Sequence, residues 1–186
     1  MNQQRGIIPF GNRDGRIVAA VRLQKIGVAQ SIELVAPAKR ARLSIEYGPG
    51  IERVATQRLP ATVLRQVFQN LVVNAAEAMP ERDGRPGRLA IDAEIIADGA
   101  HELLVCRFAD DGAGIDPQVL PRLFQRRFST KSNDTNSGIG LHWCANALRL
   151  LGGEIRVASD GLGSGACFHV VVPLKSVQVI DAARAA

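Results

Sequence analysis

A chain of 186 residues with 46% hydrophobic content can bury a sizeable core, which excludes a disordered polypeptide and suits a single domain. Its net charge of +5 would permit binding to nucleic-acid phosphates, but the basic residues are dispersed and aromatics make up only 4%, so no nucleic-acid partner is expected. Cys106, Cys144 and Cys167 are far apart and form no CxxC pair, which argues against a disulfide framework and for a reducing, cytoplasmic setting. No apolar run approaches the roughly 18 to 20 residues that cross a bilayer.

Residues 1–20 mix glycine, proline and charge without a period and read as a leader or linker remnant; residues 21–178 read as the domain and 179–186 as a tail. Over 28–42, Val28, Ile32, Val35 and Ala36 recur at helical spacing, with Pro37 expected to bend that helix. Residues 43–47 alternate like a strand, Gly48-Pro49-Gly50 turns the chain, and 51–56 is the expected partner strand. Pro60 opens a helix to Met79 whose apolar stripe is Val63, Leu64, Val67, Phe68, Leu71, Val72 and Ala75. A turn over 83–87 leads to a hairpin of 88–97 and 101–109, joined through Asp98 and Gly99. A short helix over 120–124, a longer one over 139–151 and a strand pair, 154–159 with 166–173, complete the pattern. Strands interrupted by helices without strict alternation predict an α+β two-layer sandwich, a largely antiparallel sheet under one helical layer. Cys106 and Cys167 fall inside apolar runs and are expected to be buried thiols.

Three segments carry groups suited to chemistry. Asn70 and Asn74, four apart, lie on one helix face beside the apolar stripe. A buried amide needs a partner, either backbone, water or a hard cation such as Mg2+. Asp110 ends a predicted strand and precedes Gly112 and Gly114, so a carboxylate stands at the lip of a tight turn where it can accept from an amino group. Ser137, Gly138 and Gly140 sit at a loop-to-helix junction whose backbone N–H groups suit phosphate. No GxxxxGK[ST] loop and no dinucleotide-binding fingerprint is present.

Taken in order, the NLxxNA helix, the strand-terminal DxGxGI, the LFxxxFSTK segment and the SGxGL loop resemble the GHKL ATP-binding family, within it the catalytic domain of bacterial sensor histidine kinases. The likeness covers roughly residues 28–173 and implies the Bergerat-type fold, ATP and Mg2+. It further implies that Asn74 ligates Mg2+ with Asn70 assisting. Asp110 would hold the adenine amino group, with Gly112, Gly114 and Ile115 letting the base approach. Ser129 to Ser137 would form a lid with Lys131 reaching the terminal phosphates, and Ser137, Gly138, Ile139, Gly140 and Leu141 would supply the phosphate cradle. Phe124 and Phe128 would pack that lid onto the body.

The residue four before the metal asparagine separates branches of the family. Several carry a glutamate there; this chain has Asn70, and an amide cannot act as general base, so the likeness is to the histidine kinases. His101, in HELL, echoes a phosphoacceptor box only by chance, because it falls within a hairpin strand, and His142 suits a role at the start of a helix. The implied reaction is transfer of the γ-phosphoryl group of Mg-ATP to a histidine on a separate dimerisation domain. A response regulator is the implied downstream partner, and the parent protein can be a membrane-bound homodimer. Asn136 replaces a usual glycine, Ala166 a usual threonine, and Arg126 with Arg127 a usual Pro-Phe. These departures leave a degenerate nucleotide-binding interaction module as the alternative.

Overall fold

The computed structural model describes residues 33, 35–53, 61–80, 86–99, 101–126 and 140–174. Strands β1 (Leu43–Tyr47), β2 (Gly87–Asp98), β3 (His101–Asp110), β4 (Glu154–Ala158) and β5 (Ala166–Leu174) form one sheet in the order β1-β2-β3-β5-β4. The predicted hairpin is present: β2 and β3 pair antiparallel from Leu89↔Asp110 to Asp98↔His101, and Gly99 takes φ +61 at the turn. β5 pairs antiparallel with both β3 and β4, whereas β1 runs parallel to β2. Helices α1 (Pro37–Arg40), α2 (Gly50–Arg53), α3 (Ala61–Ala78) and α4 (Gly140–Leu150) accompany the sheet, giving the expected α+β sandwich.

Alternation along the strands assigns one face to the core. Leu89, Ile91 and Ala93 of β2, Leu104, Cys106 and Phe108 of β3, and Phe168, Val170 and Val172 of β5 are buried on it. The predicted stripe of α3 covers this face, with Val67 and Val72 fully buried and Val63 at its edge. Phe68 meets Phe108 with ring centroids 5.2 Å apart at 41°. α4 adds Cys144 and Leu148, both fully buried.

Four local expectations change. The helix expected over 28–42 is interrupted: Glu33 is helical, Val35 and Ala36 are not, and a short helix restarts at Pro37. Ala36 is extended, with ψ 133, because proline's ring crowds a helical residue before it. The strand expected over 51–56 is instead α2, and residues 54–56 lie outside the described residues. Asp92 of β2 explains this, since its Oδ1 accepts the Gly50 N–H at 2.9 Å and its carboxylate fills the space a Cβ on Gly48 would need. The chain therefore turns away from β1, buries Ile51, and leaves β1 to pair with β2. The helix expected over 120–124 is a single 3-10 turn, Leu120–Arg122, too short for one α-helical repeat. Cys167, expected to be buried, is only half-buried: Ala166 and Phe168 take the core side of β5, so the residue between them faces away, where Arg107 Nε donates to its Sγ at 3.3 Å. Cys106 and Cys144 are buried thiols whose pKa burial pushes up to about 12.

The Phe68–Phe108 contact joins the helical layer to the central strand. Phe108→Ala is expected to lower the unfolding free energy by about 3 to 5 kcal/mol, read from a urea transition with unchanged slope. A loss below about 1 kcal/mol would show that the contact carries little of the core.

Candidate functional site

Asp110 is the last residue of β3, flanked by Leu89 of β2 and Ala166 of β5. Its Oδ1 accepts the Gly112 N–H at 2.9 Å. Burial pushes its carboxyl above the ordinary range, the N–H groups of Gly112 and Ala166 oppose that shift, and the charge of Asp111 adds to it. Gly112 has no space for a side chain, because a Cβ there would lie 2.7 Å from Asp110 Oδ1 and 2.9 Å from the Ala78 carbonyl oxygen. Gly114 takes φ +70 with its own Cβ position blocked by the Gly161 carbonyl.

The loop after Asp110 is held from two sides. On one, the Ala113 N–H donates to the Ala78 carbonyl at the end of α3, at 2.8 Å. On the other, the Ile115 N–H donates to Ser159 Oγ at 3.0 Å and the Gly163 N–H to the Ala113 carbonyl at 2.7 Å. Ser159 is itself fixed by donating to the Gly165 carbonyl at 2.6 Å.

Asn70, Asn74 and Ala78 follow one another at four-residue spacing along one side of α3. Asn70 touches the start of α4: its Nδ2 donates weakly to Cys144 Sγ at 3.5 Å, and its Oδ1 lies 3.4 Å from where a Cβ on Gly140 would stand. Ala78 touches the Asp110 loop. These two anchor points are eight residues, or about 12 Å, apart along the helix axis. Asn74 lies between them, and its Nδ2 is one of three buried side-chain polar atoms without a hydrogen-bond partner among the described residues. Such a buried amide nitrogen is costly unless something beyond the described residues pairs with it.

Gly140 and Leu141 open α4, whose first turn carries no acidic side chain of its own and whose N–H groups form a positive dipole end. His142 follows, with Nδ1 3.0 Å from the Phe124 carbonyl and Nε2 2.9 Å from Asn146 Nδ2. Phe124 and Leu123 are partly buried against the core, and Ala166 is buried beside Asp110. The structure thus brings together Asn70, Asn74, Asp110, Gly112, Gly114, Ile115, Gly140 and Leu141. Lys131, Ser137, Gly138 and Ile139, together with Ser129, Phe128, Arg127 and Asn136, lie outside the described residues. The sequence reading passed over Ser159 and Asn146. Ser159 opens a Ser-Asp-Gly turn and Asn146 stands four residues after His142, so both carried a faint local signal.

Residues 60–176 match the sequence profile described as histidine kinase-, DNA gyrase B-, and HSP90-like ATPase, and the chain belongs to that family. Within it, the similarity runs to sensor kinases. The sensor protein FixL of Bradyrhizobium diazoefficiens is 33% identical over 135 residues, covering 73% of this chain and 25% of FixL. The sensory histidine kinase/phosphatase NtrB of Rhizobium meliloti is 35% identical over 150 residues, covering 73% of this chain and 36% of NtrB. The chain therefore spans well under half the length of either relative. Among solved structures, the catalytic domain of histidine kinase ThkA shares the fold, with a TM-score of 0.63 at 22% identity over 79% of this chain and 90% of that one.

The partial burial of Asp110 has a measurable cost. With its pKa raised, the folded chain keeps the proton to higher pH than the unfolded chain, so stability falls as pH climbs from the ordinary 3.8 through the raised value. Asp110→Asn is expected to melt at or above the native temperature at pH 7, with its advantage shrinking as the pH approaches 4, in thermal melts across that range. A variant less stable at pH 7 than at pH 4, relative to the native chain, would contradict the assignment.

Proposed function

We propose that this chain is the ATP-binding catalytic part of a sensor histidine kinase, which donates the γ-phosphoryl group of ATP to a histidine on a separate dimerisation domain. The observation that carries this reading is the line Asn70–Asn74–Ala78, which runs from the start of α4 to the Asp110 loop with an unpartnered amide at its middle. Asp110 accepts a hydrogen bond from the adenine amino group, while Gly112, Gly114 and Ile115 give the base a side-chain-free approach. The N–H groups around Gly140 and Leu141 receive the phosphates, joined by Ser137, Gly138 and Ile139, with Lys131 as the positive charge at the terminal phosphate.

Mg2+ suits the same line of residues. Asn74 offers a neutral amide oxygen which, nitrogen and oxygen being interchangeable in placement, can occupy the Nδ2 position that has no partner among the described residues. Asn74, with Asn70 alongside, would hold the ion, which when bound neutralises charge on the phosphate oxygens. Asn70 cannot take a proton as general base. The nucleophile is therefore an imidazole, whose nitrogen forms the new P–N bond as the bond to the ADP oxygen breaks.

This chain's own histidines suit that role poorly. His101 is nine residues from Asp110 along β3, about 30 Å away. His142 has both ring nitrogens engaged, and His169 lies on the sheet face away from the core. A dimerisation domain elsewhere in the full-length protein supplies the acceptor, and a response regulator takes the phosphoryl group onward. No helix among the described residues is long and apolar enough to cross a membrane. The domain works at the cytoplasmic side, whether or not its parent is a membrane-bound homodimer.

Titration of a fluorescent ATP analogue tests this directly. The native chain should bind in a Mg2+-dependent manner, Asn74→Ala should lose that binding, and Asn70→Asp should only weaken it. Absence of Mg2+-dependent binding by the native chain would refute the reading. Binding without phosphoryl transfer to a supplied dimerisation domain of the same protein would make it a nucleotide-binding interaction module instead.

A further inference from the structure

We infer that His142 is a positioning residue for the phosphate end of the site, an inference that rests on the nucleotide-binding reading above. Hydrogen bonding fixes its tautomer. Arg149 has only donors, and its Nη1 donates to Asn146 Oδ1 at 3.1 Å, so Asn146 presents Nδ2 to the imidazole. Nε2 of His142 must then accept, which puts the ring proton on Nδ1, where it donates to the Phe124 carbonyl at 3.0 Å.

That last bond crosses 18 positions of sequence and ties the first turn of α4 to the turn that follows the 3-10 segment. The same turn is held on its other side by Asn70, through Cys144 and Gly140. Cys144 and Leu148 fix the body of α4 in the core, while among the described residues its start is held by the packing of Leu141 on the core, by Asn70 beside Gly140 and Cys144, and by the His142 bond. Loss of the His142 tie leaves the helical body packed while freeing the N–H groups that receive phosphate. Preorganised donors are worth more than mobile ones because their ordering is not charged to binding. The adenine loop, held by Ala78 and Ser159, does not depend on His142.

The test compares Mg-ATP with adenosine by calorimetry on the native chain, His142→Leu, His142→Asn and Asn146→Ala, with thermal melts as a check on folding. His142→Leu is expected to bind Mg-ATP about fivefold to tenfold more weakly while adenosine binding stays unchanged. His142→Asn restores Mg-ATP affinity, since its Nδ2 stands where the ring Nδ1 stood and can donate to the Phe124 carbonyl. Asn146→Ala falls between. Equal Mg-ATP affinity in the native chain and His142→Leu overturns the inference, as does parallel weakening of ATP and adenosine. If His142→Leu does not fold, a failure of His142→Asn to bind Mg-ATP like the native chain overturns it. A native chain that binds no Mg-ATP refutes the function itself rather than the role of His142 alone.

Discussion

The seating of α3 on the sheet is the constraint on which the rest depends. Phe68 packs on Phe108, two residues before Asp110 on β3, and two residues before Asn70 on α3. One core contact therefore sets the distance between the carboxylate at the strand end and the amides along the helix. Because helix side chains four apart stand above one another, Asn70, Asn74 and Ala78 inherit that position without further instruction. Shifting α3 by one turn along its axis would put Asn70 or Ala78 where Asn74 now stands.

Around that axis the site is built mostly of backbone. Ala78 contributes a carbonyl, Gly112 and Gly114 contribute the absence of a Cβ, and Ser159 holds the loop through one N–H. Two polar groups are uncomfortable in the free chain: Asp110 is a carboxyl whose pKa partial burial raises, and Asn74 has an amide nitrogen with no partner among the described residues. Both costs are of the kind a bound ligand can offset, by offering a donor to the acid and an acceptor to the amide nitrogen. The cost is tolerable because the core beneath is closely packed.

Sequence periodicity made the core readable, since each of α3, the β2–β3 hairpin and the β4–β5 pair buries one face and so alternates at its own period. Asp110 was legible as a strand-terminal acid before glycines. The parallel pairing of β1 with β2 was not, because it depends on Asp92, which reaches back 42 positions to Gly50. The supports of the Asp110 loop were hidden for the same reason: Ser159 acts across 44 positions, and a carbonyl such as that of Ala78 carries no signature in a residue name. His142 looked like a helix-start residue. Its link to Phe124 appears only when the 3-10 segment and α4 are brought together.

On the proposed function, one nucleotide spans from the Asp110 loop to the start of α4 along Asn70 and Asn74. Amide hydrogen exchange measured with Mg-ATP and with adenosine tests it most directly. Mg-ATP should slow exchange both at residues 112–115 and at residues 140–144, whereas adenosine should slow only the first group. Protection of either group alone by Mg-ATP, or of neither, would contradict it.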